Sequence, residues 1–448
     1  MKWLLMTFAL VLLPAGCLAQ AVDVSKKIEA RTGHKVNTAK AAVWTLPDGV
    51  ALDDGLTEDE AVAIALWNNP LLQADLTAMG LARADVIGAR QLTNPTLTLI
   101  FPFSPRILEA VANWPFEALW QRPRRLAAAK LEEERVSETL VIRALDLARD
   151  VRMAYADYAA AQMRAGIAAG AVRERREIAL IVNARFRAGD ISELETNASV
   201  VDARIAEEQA ARFTNDIALA NERLRALLGF GADGPSFKIN LPATSSSDQP
   251  IPLVSTKGPE SVETLDALLK QALEARPELK AAELAIQAAG ARARWERSRI
   301  MAISAIAKEY GRGTNGFEQG PGVQIELPIF NRNQGGISRA EAEIERAAKQ
   351  MIAANYRVVT EVREAYMQLA HAREQQDQWR GRVMPPLGED IRSAERAYQA
   401  GDVSYLFVLE TSRRFTDARL RDAELQAATA RSLIALERSV GRRLFANR

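Results

Sequence analysis

The spacing of apolar side chains predicts long helices over most of the chain. One run of apolar positions alternates steps of three and four residues: Val141, Ala144, Ala148, Val151, Tyr155 and Tyr158. This is the pattern of a coiled-coil seam, and its small side chains favour close helix packing. Residues 124–234 contain no proline and are rich in Ala, Glu, Arg and Leu. A helix over residues 124–187 would be about 96 Å long.

The pattern changes to a period of two between the helical stretches. Residues 96–103 are uncharged and β-prone, and residues 323–327 alternate between apolar and polar, as strands with two different faces do. Residues 114–120 are a candidate second strand, and residues 301–307 are apolar and small. We therefore expect about one hairpin between helices in each half of the chain, and about four strands in total.

The same order of elements occurs twice. Residues 186–192 (FRAGDIS) return as residues 398–404 (YQAGDVS), 212 residues later. A repeat of this kind indicates two copies of one structural unit. The predicted division is a signal peptide at 1–19, an N-terminal segment at 20–55, a first repeat at 56–231, a linker at 232–260 and a second repeat at 261–448.

Glycine and proline predict where the long helices break. Each should stop and reverse at a glycine, Gly189 in the first repeat and Gly401 in the second, because glycine adopts positive φ without steric cost. The second repeat also carries Pro385 and Pro386, which have no counterpart in the first. A helix must divide or kink there.

The N-terminus is predicted to be a targeting signal. Lys2 precedes an apolar run over residues 3–13, and Cys17 and Ala19 are small residues at the positions that signal peptidase reads. Cys17 leaves a second interpretation open, in which cleavage precedes the cysteine and a lipid is attached to it. Both interpretations place the protein outside the cytoplasm. No later segment reaches the roughly 18 apolar residues of a helical span, so a membrane role would need β-strands.

Composition argues against several classes of function. The 58 basic and 57 acidic residues leave a net charge of +1, which gives no electrostatic reason to expect nucleic acid as a partner. His34, His371 and the single cysteine cannot build a His/Cys metal cluster, and they supply a catalytic triad poorly. We therefore predict no catalytic residues, no bound metal and no cofactor, and we do not expect an enzyme.

The order and duplication of these features resemble the outer-membrane efflux proteins of the TolC family. The features are a signal peptide, a helix that ends near Asn94 and Pro95, a hairpin, a long helix, a glycine-centred tip and a returning helix. The resemblance covers about residues 55–445 and implies a mainly α fold with a small β part. Long antiparallel helices would form a periplasmic α-barrel. Each chain of a homotrimer would give four strands to a twelve-stranded transmembrane β-barrel.

The same resemblance implies a function and partners. The protein would be the outer-membrane channel of a tripartite efflux system, exporting small molecules or ions together with a periplasmic adaptor and an inner-membrane pump. Outer-membrane lipid would surround the strands, and most of the chain would lie in the periplasm. The cargo stays open between drug, metal cation and other compounds. The alternative is a periplasmic coiled-coil adaptor or scaffold without a pore.

Residues at the two tips take their roles from the resemblance. Gly189 and Asp190, with Gly401 and Asp402, would contact the adaptor. Helix reversal alone also explains the two glycines.

The periplasmic gate also follows from the resemblance. Family members carry carboxylates about six and nine residues after the second tip glycine, where this chain has Phe407 and Glu410. Three copies of Glu410 around an axis would repel one another and attract cations, unless it is an ordinary solvated glutamate. Phe407 departs from the pattern and would narrow the mouth sterically. Glu195 holds the first position in the first repeat, and Tyr398 would latch the closed mouth or simply pack.

Aromatic and basic residues near the strands have two interpretations each. Phe101, Phe103, Trp114 and Trp120 would form part of an interfacial girdle, or would pack between neighbouring strands. The basic residues within 121–125 would meet lipid head groups or line the lumen.

Overall fold

A computed structural model describes residues 24–37, 44–52, 55–101, 108–231, 234–235, 237–239, 264–311 and 317–442. The predicted signal peptide at 1–19, with Cys17, lies outside the described residues. So do Phe103 and most of the predicted linker at 232–260.

Helices make up most of the described chain. In the first half they are α1 (Val24–Thr32), α2 (Glu58–Asn68), α3 (Pro70–Arg90), α4 (Ala118–Ala188) and α5 (Glu193–Leu227). In the second half they are α6 (Leu265–Ala275), α7 (Pro277–Ser298), α8 (Gln334–Gln378), α9 (Met384–Ala400) and α10 (Tyr405–Val440). The 71 residues of α4 give it a length of about 107 Å. None of the described helices is both long enough and apolar enough to cross a membrane.

The predicted coiled-coil seam of α4 is buried, but its partners are not only other long helices. Val141, Val151 and Tyr155 belong to one apolar cluster with residues of α2, such as Ile64. The Tyr155 hydroxyl donates a hydrogen bond of 3.1 Å to the carbonyl oxygen of Leu56. Helix α2 and the residues just before it therefore cover one side of the long helix.

Four antiparallel strands form one sheet in the order β1-β2-β3-β4. They are β1 (Thr96–Ile100), β2 (Leu108–Pro115), β3 (Ile303–Gly311) and β4 (Phe317–Ile325). The pairing of β2 with β3 joins the two halves, while β1 and β4 are the edges. One hairpin per half is therefore confirmed among the described residues.

The predicted second strand at residues 114–120 is wrong in its position. Strand β2 ends at Pro115, and α4 begins at Ala118, so Trp120 is helical. The backbone amides of Phe116 and Glu117 both donate to the carbonyl oxygen of Ile303. These bonds close the turn from strand to helix, and local aromatic content had suggested a strand there instead.

The predicted break at Pro385 and Pro386 is confirmed, with an added feature. A π-helical turn, Trp379–Val383, separates α8 from α9, and the prolines lie in the first turn of α9. Proline is tolerated there because its missing amide has no helical partner to lose. The Trp379 indole donates to the carbonyl oxygen of Ala418 at 3.1 Å, and Arg380 Nε lies 2.8 Å from Asp422 Oδ1. The turn is thereby fixed to α10.

The two halves repeat a contact as well as an order of elements. Asn69, before α3, donates from Nδ2 to the carbonyl oxygen of Leu227 at 2.9 Å. Arg276, before α7, donates from Nη1 to the carbonyl oxygen of Ser439 at 3.3 Å. The donors are 207 residues apart and the acceptors 212 residues apart. Each half therefore closes its last helix against its first helix pair in the same way.

Candidate functional site

The strand register gives the sheet two chemically different faces. Opposed residues, such as Leu97 with Ala112 and Ala305 with Val323, share a face. One face carries Leu97, Leu99, Ala110, Ala112, Trp114, Ile303, Ala305, Ala307, Val323 and Ile325, with the polar pair Glu309 and Gln319 at the end far from the helices. The other carries Thr96, Thr98, Asn113, Ser304, Lys308 and Gln324, with Val111 and Ile306 between them. Such an apolar-out, polar-in alternation suits a strand between lipid and a water-filled lumen.

The aromatic residues of the predicted girdle divide between two places. Trp114 lies on the apolar face near the helices. Phe101 follows β1 at the opposite end of the sheet, and both side chains are exposed. The two ends of the apolar face therefore each carry an aromatic residue, as membrane interfaces do. Trp120 lies in the first turn of α4, outside the sheet.

The two tips have the same backbone. Gly189 has φ 86° and ψ 7°, and Gly401 has φ 85° and ψ 10°, both in the left-handed region. At each tip the glycine amide and the next amide donate to carbonyl groups of the helix that is ending, as in Asp190 to Arg185 and Asp402 to Ala397. These bonds satisfy the last carbonyls of the helix and reverse the chain.

The helices that follow the tips begin differently. Ser192 and Glu195 form a capping box, in which Glu195 N donates to Ser192 Oγ and Ser192 N donates to Glu195 Oε2, both at 3.3 Å. Ser404 occupies the equivalent position before α10 and makes no side-chain capping bond. Glu195 therefore has a local structural role, which the Ser-x-x-Glu spacing in the sequence already signals.

An apolar cluster ties the two tips together. Tyr398 and Tyr405 are buried with Val182, Val408 and Leu409. The Arg185 guanidinium lies 4.5 Å above the Tyr398 ring, a favourable cation–π arrangement. Burial raises the pKa of Tyr405 to about 12, and nearby Asp202 adds to the shift. Within this protomer Tyr398 packs between the two helical hairpins.

Phe407 and Glu410 lie on the exposed side of α10. Phe407 is 56 % exposed, and the Glu410 carboxylate accepts from Arg414 Nε at 3.0 Å. Neither side chain belongs to the cluster around Tyr398. They are therefore available to a lumen or to another copy of the chain.

A buried ion-pair group above the tips was not predicted. Asp202 of α5 is fully buried. Arg413 of α10 donates from Nε to its Oδ1 at 2.8 Å, and Arg175 Nε of α4 lies 3.3 Å from its Oδ2. One carboxylate thereby joins three helices from both halves. In the sequence, these three charged residues resemble those of ordinary solvated helix faces. They come together only when the three helices pack.

A second charged network lies at the opposite end of the helices. Arg276 donates to Glu278 at 2.7 Å and also to Glu361, and Arg438 donates from Nη2 to Glu278 at 2.6 Å. Burial opposes ionisation of Glu278. The hydrogen bonds and charges of Arg276 and Arg438 outweigh that effect and lower its pKa to about 2. The network joins the start of α7 to α8 and α10.

The chain matches known proteins in sequence over both repeats. A family model described as outer membrane efflux protein matches residues 268–442, within the second repeat. The cobalt-zinc-cadmium resistance protein CzcC of Cupriavidus metallidurans is 27 % identical over 392 residues, which cover 86 % of this chain and 90 % of that relative. The second repeat therefore matches the outer membrane efflux protein family, and the chain as a whole is similar to CzcC.

Solved structures of this architecture support the same fold. One is a crystal structure of CusC from work on its folding and transmembrane channel formation. It matches with a TM-score of 0.69 at 20 % identity, and the match covers 90 % of this chain and 99 % of the CusC chain. The outer membrane protein VceC of Vibrio cholerae has a TM-score of 0.67 at 17 % identity, with 87 % and 97 % covered. At these identities the likeness establishes the fold alone.

The comparisons give the described geometry its place. They support an outer-membrane channel of a tripartite efflux system, with most of the chain in the periplasm. The comparisons give no support to the alternative of a pore-free adaptor or scaffold. The two-faced sheet is then the part in contact with the membrane, and the helices extend from it into the periplasm.

Proposed function

We propose that this protein works as a homotrimer that exports divalent metal cations, docked on a periplasmic adaptor and an inner-membrane pump. The observation that supports divalent metal cations as the cargo is the 27 % identity with the cobalt-zinc-cadmium resistance protein CzcC, across 90 % of that protein's length. The tips at Gly189, Asp190, Gly401 and Asp402 are the proposed adaptor contacts.

The sheet supports the trimer. Its edge strands β1 and β4 leave backbone groups unpaired, which lipid cannot satisfy. Pairing of β1 with β4 of the next copy would close a barrel. Three copies of the four-stranded sheet would supply about twelve strands, above the roughly eight that a membrane barrel needs.

The periplasmic gate is proposed to lie mainly at the second tip. Glu410 and Phe407 are exposed there, whereas the first-repeat residue Glu195 caps its own helix. Tyr398 is the proposed latch residue, held beneath Arg185. Around a threefold axis, Glu410 would give the mouth a negative ring that favours cations.

The cargo is tested in cells. Deletion of the gene should lower tolerance to Co²⁺, Zn²⁺ and Cd²⁺ severalfold, and the intact gene should restore it. Tolerance to hydrophobic drugs is the control and should not change. Unaltered metal tolerance together with increased drug sensitivity would overturn the metal proposal.

The gate is tested on channels in planar bilayers. Glu410→Gln should reduce the preference for cations over anions severalfold, because it removes the charge without changing side-chain size. Glu195→Gln is the matched control and should keep the selectivity of the unsubstituted channel. Equal effects of both substitutions, or no effect of Glu410→Gln, would contradict the assignment. Protein that elutes as a monomer and forms no channels would refute the trimer itself.

A further inference from the structure

A short apolar segment directly after β4 is exposed on the surface of the protomer. Residues 327–330 read Leu-Pro-Ile-Phe, and we call them the hook segment. Leu327 is 70 % exposed, Ile329 63 % and Phe330 92 %. Phe330 is the most exposed large apolar side chain in the described part of the chain. Exposure of this kind marks a contact surface.

The hook segment is fixed by polar contacts on its inner side. Asn333 donates from Nδ2 to the carbonyl oxygen of Glu296 at 2.9 Å and to Glu296 Oε2 at 2.8 Å. Arg332 Nε donates to the carbonyl oxygen of Pro328 at 3.1 Å. A Cβ on Gly336 would lie 2.5 Å from Asn333 Oδ1, so the glycine leaves room for the Asn333 side chain in this position. These contacts hold the segment in one shape.

The backbone between the hook segment and α8 turns at Asn333. Its φ of 55° is the single positive value at a non-glycine residue among those the structure describes. Such a conformation costs free energy and persists where surrounding contacts enforce it. Asn333 is the residue before α8, and the contact that enforces its conformation is the bonded pair of Asn333 and Glu296.

The hook segment continues the apolar face of the sheet. Val323, Ile325 and Leu327 follow a period of two, and the Glu326 amide extends the pairing by donating to Ala302 at 3.0 Å. The nine residues of β4, at about 3.4 Å each and a tilt of about 40°, span roughly 23 Å. Since the apolar band of such barrels is about 25 Å tall, the hook segment lies at its rim.

The first half has no such segment. Only Phe116 and Glu117 lie between β2 and α4, whereas residues 326–333 lie between β4 and α8. The additional length therefore belongs to the second half alone. Arg332, which is exposed beside the hook segment, carries a charge suited to lipid phosphate.

We propose that the hook segment inserts into the periplasmic leaflet of the outer membrane. Phe330 and Ile329 contact acyl chains just below the head groups, and Arg332 faces the phosphates. The proposal rests on the membrane placement of the strands and adds to it a lipid anchor at the junction of sheet and helices. Aromatic side chains followed by a basic residue are typical of that depth.

Spin labels on single cysteines test this contact in the full-length protein. Cys17 is the one cysteine, and both predicted fates of it leave no free thiol. Phe330→Cys and Ile329→Cys are labelled separately and reconstituted in vesicles of phosphatidylethanolamine and phosphatidylglycerol. Val323→Cys, on the apolar strand face, is the membrane reference. Lys349→Cys, on exposed α8, is the aqueous reference. Collision rates are measured with oxygen and with a water-soluble nickel chelate.

The expected result is a high oxygen rate and a low nickel rate at Phe330→Cys and Ile329→Cys, shifted towards the Val323→Cys values. Low rates with both reagents would mean that another copy of the chain covers the segment. A high nickel rate would mean that it faces water, and either outcome overturns the proposal. If Val323→Cys also shows a high nickel rate, the membrane placement of the strands fails, which is a separate conclusion.

Discussion

The two helical tips share one backbone and differ in what supports it. Gly189 and Gly401 have nearly equal φ and ψ. The first tip ends an unbroken helix and starts the next with a capping box. The second follows a π-helical turn and has no side-chain cap at Ser404. Glycine thus fixes the reversal in both hairpins, while a side-chain cap follows the glycine in the first hairpin alone.

The side-chain contacts of the two hairpins differ as well. Asp202 of the first hairpin holds Arg413 of the second, and Arg380 of the π-helical turn is bonded to Asp422 of α10. A π-helical turn often marks a functional site. The second hairpin is therefore bonded to α10 at the π-helical turn and to Asp202 of the first hairpin nearer its tip.

The largest expected effect comes from removing the Asp202 carboxylate, which is bonded to Arg413 of the other hairpin. Asp202→Ala leaves Arg175 buried without its carboxylate and should lower the free energy of unfolding by about 3–5 kcal/mol. Asp157→Ala is the control, because its pair with Arg431 at 2.8 Å is exposed and is worth about 0–1 kcal/mol. Denaturant unfolding in detergent at fixed protein concentration measures both. Similar losses in the two variants would show that Asp202 is not a special connection.

The next largest effect is a pH dependence of stability that we expect from the second half alone. The pKa of Glu278 is lowered to about 2, so its contribution to stability is complete above its unfolded pKa of about 4.3. That contribution is lost as the pH falls towards 2, and its upper limit is about 3 kcal/mol. The first-half counterpart of Glu278, 207 residues earlier, is Leu71, which does not titrate. Unfolding followed from pH 6 to pH 2 should lose part of its pH dependence in Glu278→Gln. An unchanged slope would contradict the assignment.

A smaller and equal effect is expected at the two tip glycines. Gly189→Ala and Gly401→Ala each place a side chain at positive φ, where no neighbouring atom lies within 4 Å of the added Cβ. The cost is therefore conformational, about 1–2 kcal/mol in each case. Thermal unfolding of the two variants tests the equality. A clearly larger loss at one tip would show that the shared backbone hides a difference in strain.

The smallest effect distinguishes the two caps. Ser192→Ala should cost about 1 kcal/mol because it removes the bond to the Glu195 amide. Ser404→Ala should change stability little, since Ser404 makes no such bond. Hydrogen exchange in the first turns of α5 and α10 would detect both outcomes locally. Equal losses would indicate that Ser404 caps its helix in solution.

Local patterns predicted the elements better than their partners. The helix-rich composition and the tip glycines gave the long helices and their reversals, because helix bonds and positive φ are local properties. The second strand was expected at residues 114–120, because Trp114 and Phe116 both favour strands and nothing local marks an end between them. Its end was decided by bonds to Ile303, 187 residues after Phe116. For Glu195 the capping spacing was present in the sequence, whereas no local signal marks Asp202 as buried.

The repeated helix–hairpin–helix unit and the point at which each copy reverses are predictable from the amino-acid sequence. Periodicity, glycine and proline act within a few residues, so they can be read along the chain. The pairing of β2 with β3, the bonding of Asp202 to three helices and the exposure of Phe330 beside the sheet are seen in the folded chain alone. These features depend on contacts between residues far apart in the chain, and packing rather than local preference selects them.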